Sequence, residues 1–151
     1  MSFGDAPGAV DLTYEEIKAA VEIADAHGHI SSAHAHGAEG IKNAIRAGIT
    51  SIEHGMLIDE EGIQMLADHG TYLIPTIIAV ENICKGGEDG ILAPWMLEKA
   101  KQCKEKHQQN LQHMRQLGVK IGFGTDAGVA LNYHGKQTAV FLPAGSRIQP
   151  S

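Results

Sequence analysis

Two histidines and one aspartate stand at the ends of three short segments that are rich in β-branched and small residues. His34 closes the first segment, His54 the second and Asp126 the third, and each has a glycine within three residues after it. This pattern is typical of buried parallel strands that end in loops. Parallel strands end at one common edge of an α/β fold, so the three side chains are expected to meet there.

Imidazole nitrogens and carboxylate oxygens are ligands for zinc-type cations, and three of them leave a position free for water. Such a site predicts hydrolysis, since a metal polarises a carbonyl group and lowers the pKa of water while a carboxylate accepts the proton. Each residue also has a simpler explanation, because a histidine at a strand end can merely be hydrogen-bonded and Asp126 can cap a turn. Surface or helix-packing roles are favoured for several other histidines: His36, His69, His107 and His113.

Helical and extended segments alternate along the chain around these residues. Residues 13–16 have the Thr-x-x-Glu form of a capping box, which predicts a helix that ends at Gly28. Apolar spacing and the terminating residues predict three further helices, at 38–47, 59–69 and 94–117. Apolar runs predict four strands, at 29–34, 49–54, 72–78 and 119–125. The glycine-containing segment 81–93 predicts a long loop over the site.

This alternation predicts an α/β fold of parallel strands that are joined by right-handed crossovers. A chain of 151 residues is long enough for one domain with a sizeable core. We expect a lead segment at 1–12, one domain at 13–136 and an irregular tail at 137–151.

The composition is that of an ordinary globular protein and argues against some partners. The chain is 43% hydrophobic and 20% charged, with a formal net charge of −6. Because it has no basic stripe to neutralise phosphate groups, neither a nucleic acid nor an anionic membrane is expected as a partner. Cys84 and Cys103 match neither a disulfide framework nor a zinc-ligand spacing. The sequence shows no leader and no membrane-length apolar run, so the expected location is the cytoplasm.

Three motifs resemble the fifth, sixth and eighth strand motifs of the metal-dependent amidohydrolase superfamily. They are His-Ala-His-Gly-Ala-Glu-Gly at 34–40, Ala-Gly-Ile-Thr-Ser-Ile-Glu-His-Gly at 47–55 and Gly-Thr-Asp-Ala-Gly at 124–128. Tyr-Leu-Ile-Pro-Thr at 72–76 is similar to the seventh strand. The greatest similarity is to the branch of imidazolonepropionase-like and Xaa-Pro dipeptidase-like enzymes. Three motifs in family order are far more specific than one.

The resemblance implies four βα units that correspond to strands 5–8 of an eight-stranded (β/α) barrel of the TIM type. The His-x-His pair of the family's first strand and the lysine of its fourth strand have no counterpart before His34. We therefore expect the carboxyl-terminal half of a barrel. Such a half leaves strand edges and an apolar face uncovered, which predicts homo-oligomerisation or pairing with the missing half.

The resemblance also assigns a role to each candidate residue. His34 and His54 would hold one divalent metal, with zinc as the expected ion. Asp126 would bind a second metal and act as the catalytic proton shuttle. His36 and His134 would contact a small-molecule substrate.

Two functions follow from this resemblance. In one, the chain is a metal-dependent hydrolase, or a piece of one, that cleaves an amide, peptide or related C–N or ester carbonyl bond. In the other, it is a non-catalytic half barrel that keeps some metal ligands. Metal content and chelator-sensitive hydrolysis distinguish the two.

Overall fold

The computed structural model of the protein describes residues 8–91, 93–129 and 131–135. Helices and strands alternate in this part of the chain, in the order α1 (Tyr14–Ala26), β1 (Ser32–Gly37), α2 (Ala38–Ala47), β2 (Ser51–Leu57), α3 (Glu60–His69), β3 (Tyr72–Ile74), α4 (Ile77–Glu88) and α5 (Pro94–Gln116). The strands form one sheet in the order β1-β2-β3, and both pairings are parallel. The predicted α/β class is confirmed. The predicted tail lies outside the described residues.

The helices begin and end at residues that the sequence marks. Thr13 and Glu16 form the predicted capping box, in which the Thr13 amide donates to the Glu16 carboxylate at 2.8 Å. Glycines in the left-handed conformation end α2 at Gly48 and α3 at Gly70. No helix among the described residues has both the length and the apolar character needed to span a membrane.

The main core lies between the sheet and the helices that follow each strand. Ile52 and Leu73 of the sheet are fully buried in it, together with Met114 of α5. Branched apolar residues of α2 and α3 complete this core: Ile41, Ile45, Ile63 and Leu66. Truncation of one such side chain to alanine typically costs about 2–5 kcal/mol, so this packing fixes the sheet that carries the candidate site.

The first strand begins and ends later than predicted, at 32–37 rather than 29–34. The amides of Gly28 and His29 donate to carbonyl groups of α1, and Gly28 is left-handed. Both residues therefore belong to the helix terminus, in the arrangement of a Schellman motif. The later end of β1 places both His34 and His36 in the strand.

The prediction of a loop at 81–93 is wrong over most of its length, because α4 continues to Glu88. The predicted third strand is also too long and ends at Ile74. Gly87 lies inside α4, where an added Cβ would stand 2.6 Å from the Cβ of Leu97 in α5. Glycine at this position therefore permits close packing of two helices, although the same residue type favours loops in an isolated chain.

The predicted fourth strand is reduced, within the described residues, to a single parallel bridge between Leu73 and Ile121. The Leu73 amide donates to Lys120 at 2.9 Å, and the Gly122 amide donates to Leu73 at 2.8 Å. The backbone at Gly122 and Gly124 lies directly against the side chain of Ile74, where a Cβ would not fit. The segment therefore runs beside β3 in the expected direction with few strand hydrogen bonds.

Candidate metal centre

Three histidines of two neighbouring strands come together at one edge of the sheet. His34 and His36 lie two residues apart on β1 and share a face of the strand, with ring centroids 4.7 Å apart. The ring of His54, on β2, is 4.4 Å from that of His34 and 4.9 Å from that of His36. One possible ligand atom from each histidine lies within 4.8 Å of the others, which is compact enough for a single cation.

An unusual backbone conformation places His54 in this group. Its φ of 76° is left-handed, and that of the following Gly55 is 63°. Such a conformation costs about 1–3 kcal/mol for a residue other than glycine and persists only where the surroundings enforce it. A Cβ at Gly55 would collide with the side chain of Leu73, so only glycine fits the second position.

Desolvation and mutual proximity keep two rings of this group neutral, those of the half-buried His36 and the buried His54. Desolvation, together with the neighbouring rings of His54 and His34, lowers the pKa of His36 to about 3. The pKa of His54 is lowered mainly by burial and then by His34, and this is partly opposed by the carboxylates of Asp126 and Glu53. Because only a neutral imidazole can bind a metal, both rings are in the ligand form at pH 7.

His36 provides a direct test of whether a cation suits this group. Its Nδ1 atom is buried and has no hydrogen-bond partner among the described residues. Buried polar atoms are nearly always paired, so an unpaired nitrogen beside two further imidazoles is unusual. Three imidazole nitrogens form a donor set that suits zinc and related ions. The residues present therefore fit a divalent metal.

Asp126 lines the same cavity as the three histidines, without being part of the compact group that they form. Its φ of 53° is left-handed, and the side-chain amide of Asn132 donates to its carbonyl oxygen at 3.0 Å. The cavity has a volume of about 190 Å³. Most of its remaining wall is apolar and comes from β2, α4 and α5, including Met56, Ala79, Val80, Ile83 and Ala100.

The other predicted site residue, His134, is exposed and is not among the described residues that line the cavity. Its substrate contact stays a prediction. The substrate contact expected for His36 is likewise untested, and the geometry groups this histidine with His34 and His54 instead. His69 is exposed at the end of α3, and the ring of His113 lies 3.2 Å from Glu60. His107 is buried in α5, where its Nε2 donates to the carbonyl oxygen of Pro75 at 3.0 Å.

Sequence reasoning missed one residue of this centre. The hydroxyl of Thr76 lies 2.6 Å from Nδ1 of His54, and Thr76 is only 3% exposed. A threonine that follows a proline is an ordinary turn sequence, so nothing in the pattern separates it from other threonines. Its importance depends on where the backbone turns after β3.

Comparison with known proteins agrees with the family resemblance seen in the sequence. The sequence pattern of the amidohydrolase family matches residues 3–143. The chain is 34% identical over 127 residues to ochratoxinase of Aspergillus niger, an alignment that covers 83% of this chain and 26% of that protein. It is 31% identical over 120 residues to an uncharacterized protein of Mycobacterium tuberculosis, covering 80% of this chain and 32% of that protein.

Solved structures resemble the fold as well. A Xaa-Pro dipeptidase with methionine bound in its active site superposes with a TM-score of 0.71 at 39% identity, covering 80% of this chain and 30% of that one. A. niger ochratoxinase gives a TM-score of 0.74 at 33% identity, covering 81% of this chain and 28% of that one. A prolidase in complex with N-methylphosphonate-L-proline gives a TM-score of 0.69 at 32% identity, covering 76% of this chain and 28% of that one. The chain thus spans between about a quarter and a third of the length of these relatives.

Proposed function

Because this chain belongs to the amidohydrolase family, we propose that it forms part of a metal-dependent hydrolase in which His34, His36 and His54 hold a divalent cation. The family membership and the parallel α/β class agree with the resemblance seen in the sequence. The observation that carries the proposal is the compact group of three imidazoles, one of which has a buried and unpaired ring nitrogen. Zinc is the expected ion, since imidazole nitrogens suit it.

The reaction is hydrolysis of an amide, peptide or related C–N or ester carbonyl bond. A divalent cation, when bound, polarises the carbonyl oxygen and makes water a stronger nucleophile. Asp126 accepts a proton from the attacking water and returns it to the leaving nitrogen, so that the C–N bond breaks and the amine departs neutral. Support for this role comes from the cavity that Asp126 shares with the histidines. The second metal that the resemblance assigns to Asp126 is part of the same proposal.

The cavity favours substrates with an apolar group next to the bond that is cleaved. Met56 of β2 and Val80 and Ile83 of α4 face it beside the histidines. Burial of an apolar group there contributes about 25 cal/mol per Å² removed from water. The similarity to a Xaa-Pro dipeptidase makes dipeptides that end in proline a suitable first class to test.

Metal binding is tested by titration of the chelator-treated chain with Zn²⁺ in competition with a chromogenic chelator. We expect one tightly bound ion at the three histidines of each chain, and a loss of this binding of at least about tenfold for His34→Asn and for His36→Asn. His69→Asn is the matched control, because His69 is an exposed histidine outside the group. Equal affinity for all variants would refute the assignment.

Hydrolysis is tested on Xaa-Pro dipeptides and N-acyl amino acids, with and without chelator. We expect turnover that chelator abolishes and Zn²⁺ restores, and that Asp126→Asn reduces by about 100-fold or more while Zn²⁺ remains bound. A chain that binds zinc without any turnover would be a non-catalytic half barrel, the alternative that the sequence left open.

A further inference from the structure

Thr76 has a backbone conformation that its residue type disfavours. Its φ and ψ are 43° and 42°, in the left-handed region, and its side chain is branched at Cβ. A branched residue in this region is a genuine outlier, and such outliers cluster at functional sites. The conformation therefore calls for a compensating interaction nearby.

Thr76 also lacks the capping hydrogen bond that threonine normally makes at this position. It is the N-cap residue of α4, where a threonine hydroxyl usually accepts a hydrogen bond from an amide of the first turn. Thr13 makes such a bond at the start of α1, and Asp59 makes one at the start of α3. Thr76 makes no side-chain cap. Its hydroxyl instead lies 2.6 Å from Nδ1 of His54, on the neighbouring strand.

We infer that Thr76 is a positioning residue that fixes the tautomer and the ring orientation of His54. This inference rests on the proposed function, in which His54 is a metal ligand. A neutral imidazole has one donor nitrogen and one acceptor nitrogen. When the Thr76 hydroxyl oxygen accepts the proton of Nδ1, the lone pair of Nε2 is left for a cation. Partners of this kind set which ring nitrogen binds metal and raise the affinity of the site.

The turn that carries Thr76 is held in place by α5. The carbonyl oxygen of Pro75, one residue earlier, accepts a hydrogen bond from Nε2 of His107 at 3.0 Å. Pro75 is fully buried and His107 is 2% exposed, so water does not compete for this bond. The Thr76 carbonyl accepts a hydrogen bond from the amide of Ala79, three residues further along the chain, at 3.0 Å. The hydroxyl of Thr76 is hydrogen-bonded to His54 and not to an amide of α4.

Substitutions at Thr76 separate this role from simple packing. Thr76→Val keeps the shape and the branching and removes only the hydroxyl, whereas Thr76→Ser keeps the hydroxyl. In the metal-free chain, long-range ¹H–¹⁵N spectra of the ring nitrogens report the tautomer of His54, with His54→Gln identifying its signals. We expect the Nδ1-protonated form in the wild type and in Thr76→Ser, and a mixture with the Nε2-protonated form in Thr76→Val.

Zinc affinity gives the second readout, measured by competition with a chromogenic chelator. We expect Thr76→Val to bind Zn²⁺ about 10- to 100-fold more weakly than wild type, with Thr76→Ser within about threefold. Unchanged tautomer and unchanged affinity in Thr76→Val would overturn the inference. If no variant binds zinc, the proposed function fails while the tautomer spectra still decide the role of Thr76. If Thr76→Val does not fold, Thr76→Gly makes the same comparison, because glycine adopts the left-handed conformation without strain.

Discussion

His36 has a pKa of about 3 because its half-buried ring is desolvated and stands beside the rings of His54 and His34. In the unfolded chain the same imidazole titrates near its ordinary value of 6.5. Between these two values the unfolded chain binds a proton that the folded chain does not. The contribution of His36 to stability is therefore complete above pH 6.5 and is lost progressively as the pH falls towards 3.

We predict that the free energy of unfolding of the metal-free chain falls when the pH is lowered from 7.5 to 5. His36 accounts for about 1–2 kcal/mol of this loss, and the lowered pKa values of His54 and His107 add to it. Urea unfolding at the two pH values measures it. His36→Gln should lose less stability than wild type on acidification, whereas the exposed His69→Gln should lose as much as wild type. Equal losses for His36→Gln and wild type would contradict the assignment.

At the scale of elements, helix α4 closes the cavity and depends on a close approach to α5. Gly87 of α4 lies where an added Cβ would be 2.6 Å from the Cβ of Leu97. A Cβ atom cannot swing away as the end of a long side chain can, so the helices themselves must separate. The salt bridge between Lys104 and Glu81, 2.7 Å long, also joins these helices.

We therefore predict that Gly87→Ala destabilises the chain by about 1–3 kcal/mol, although alanine is the better helix former. Gly40→Ala in α2 is the matched control, since a Cβ there meets nothing within 4 Å. That substitution should stabilise the chain by about 0.5–1 kcal/mol. Thermal unfolding of both variants measures the difference. A rise in melting temperature for both would show that α4 and α5 are packed less closely than described.

A buried lysine holds α2 against the start of α3 through ion pairs. The side chain of Lys42 is 6% exposed, and its Nζ lies 2.7 Å from Glu39, 2.8 Å from Glu61 and 3.1 Å from Asp59. The hydrogen bonds that Lys42 donates to these carboxylates raise its pKa above the usual range, so the ammonium stays charged. Asp59 also caps α3, and thus one lysine links two helices through the cap of one of them.

We predict that Lys42→Met lowers the melting temperature because it leaves three carboxylates facing one another without a cation. The loss should shrink in 1 M NaCl, where the repulsion is screened. Lys18→Met is the control, since the salt bridge of Lys18 within the described part of the chain is to the exposed Glu22, at 3.7 Å. Thermal unfolding at low and high salt measures both. A loss for Lys42→Met that salt does not change would indicate lost packing instead of lost charge.

The sequence predicts some residues of the site and some elements of the fold better than others. His34, His54 and Asp126 could be predicted to lie together because strand-end motifs depend on local sequence, and the structure brings all three to one cavity. Thr76 could not, because its role depends on a left-handed turn and on a partner 22 residues away. Gly87 of α4 was misleading for the opposite reason. Its intrinsic preference favours a loop, and only the contact with Leu97 of α5 makes glycine suitable at this place in a helix.

At the scale of the whole molecule, the sheet ends at β1. Within the described residues β1 pairs only with β2, so its outer backbone groups face no strand. An edge of this kind is a template for pairing with another strand. The similar solved structures are barrels of the TIM type, of which this chain covers about 30%. The predicted partner is therefore a second copy of the chain or the segment that completes the barrel.

We predict that the chain self-associates at micromolar concentrations and that β1 forms the contact. Ser32→Lys adds a charge at an exposed position of this edge strand and should shift the chain towards monomer, because edge charges oppose strand pairing. Gln64→Lys on the exposed side of α3 makes the same change in charge away from the sheet and should leave association unchanged. Sedimentation velocity over a range of concentrations measures both. A wild-type chain that stays monomeric at about 100 μM would contradict this prediction, since self-pairing at a stable sheet edge must rise with concentration.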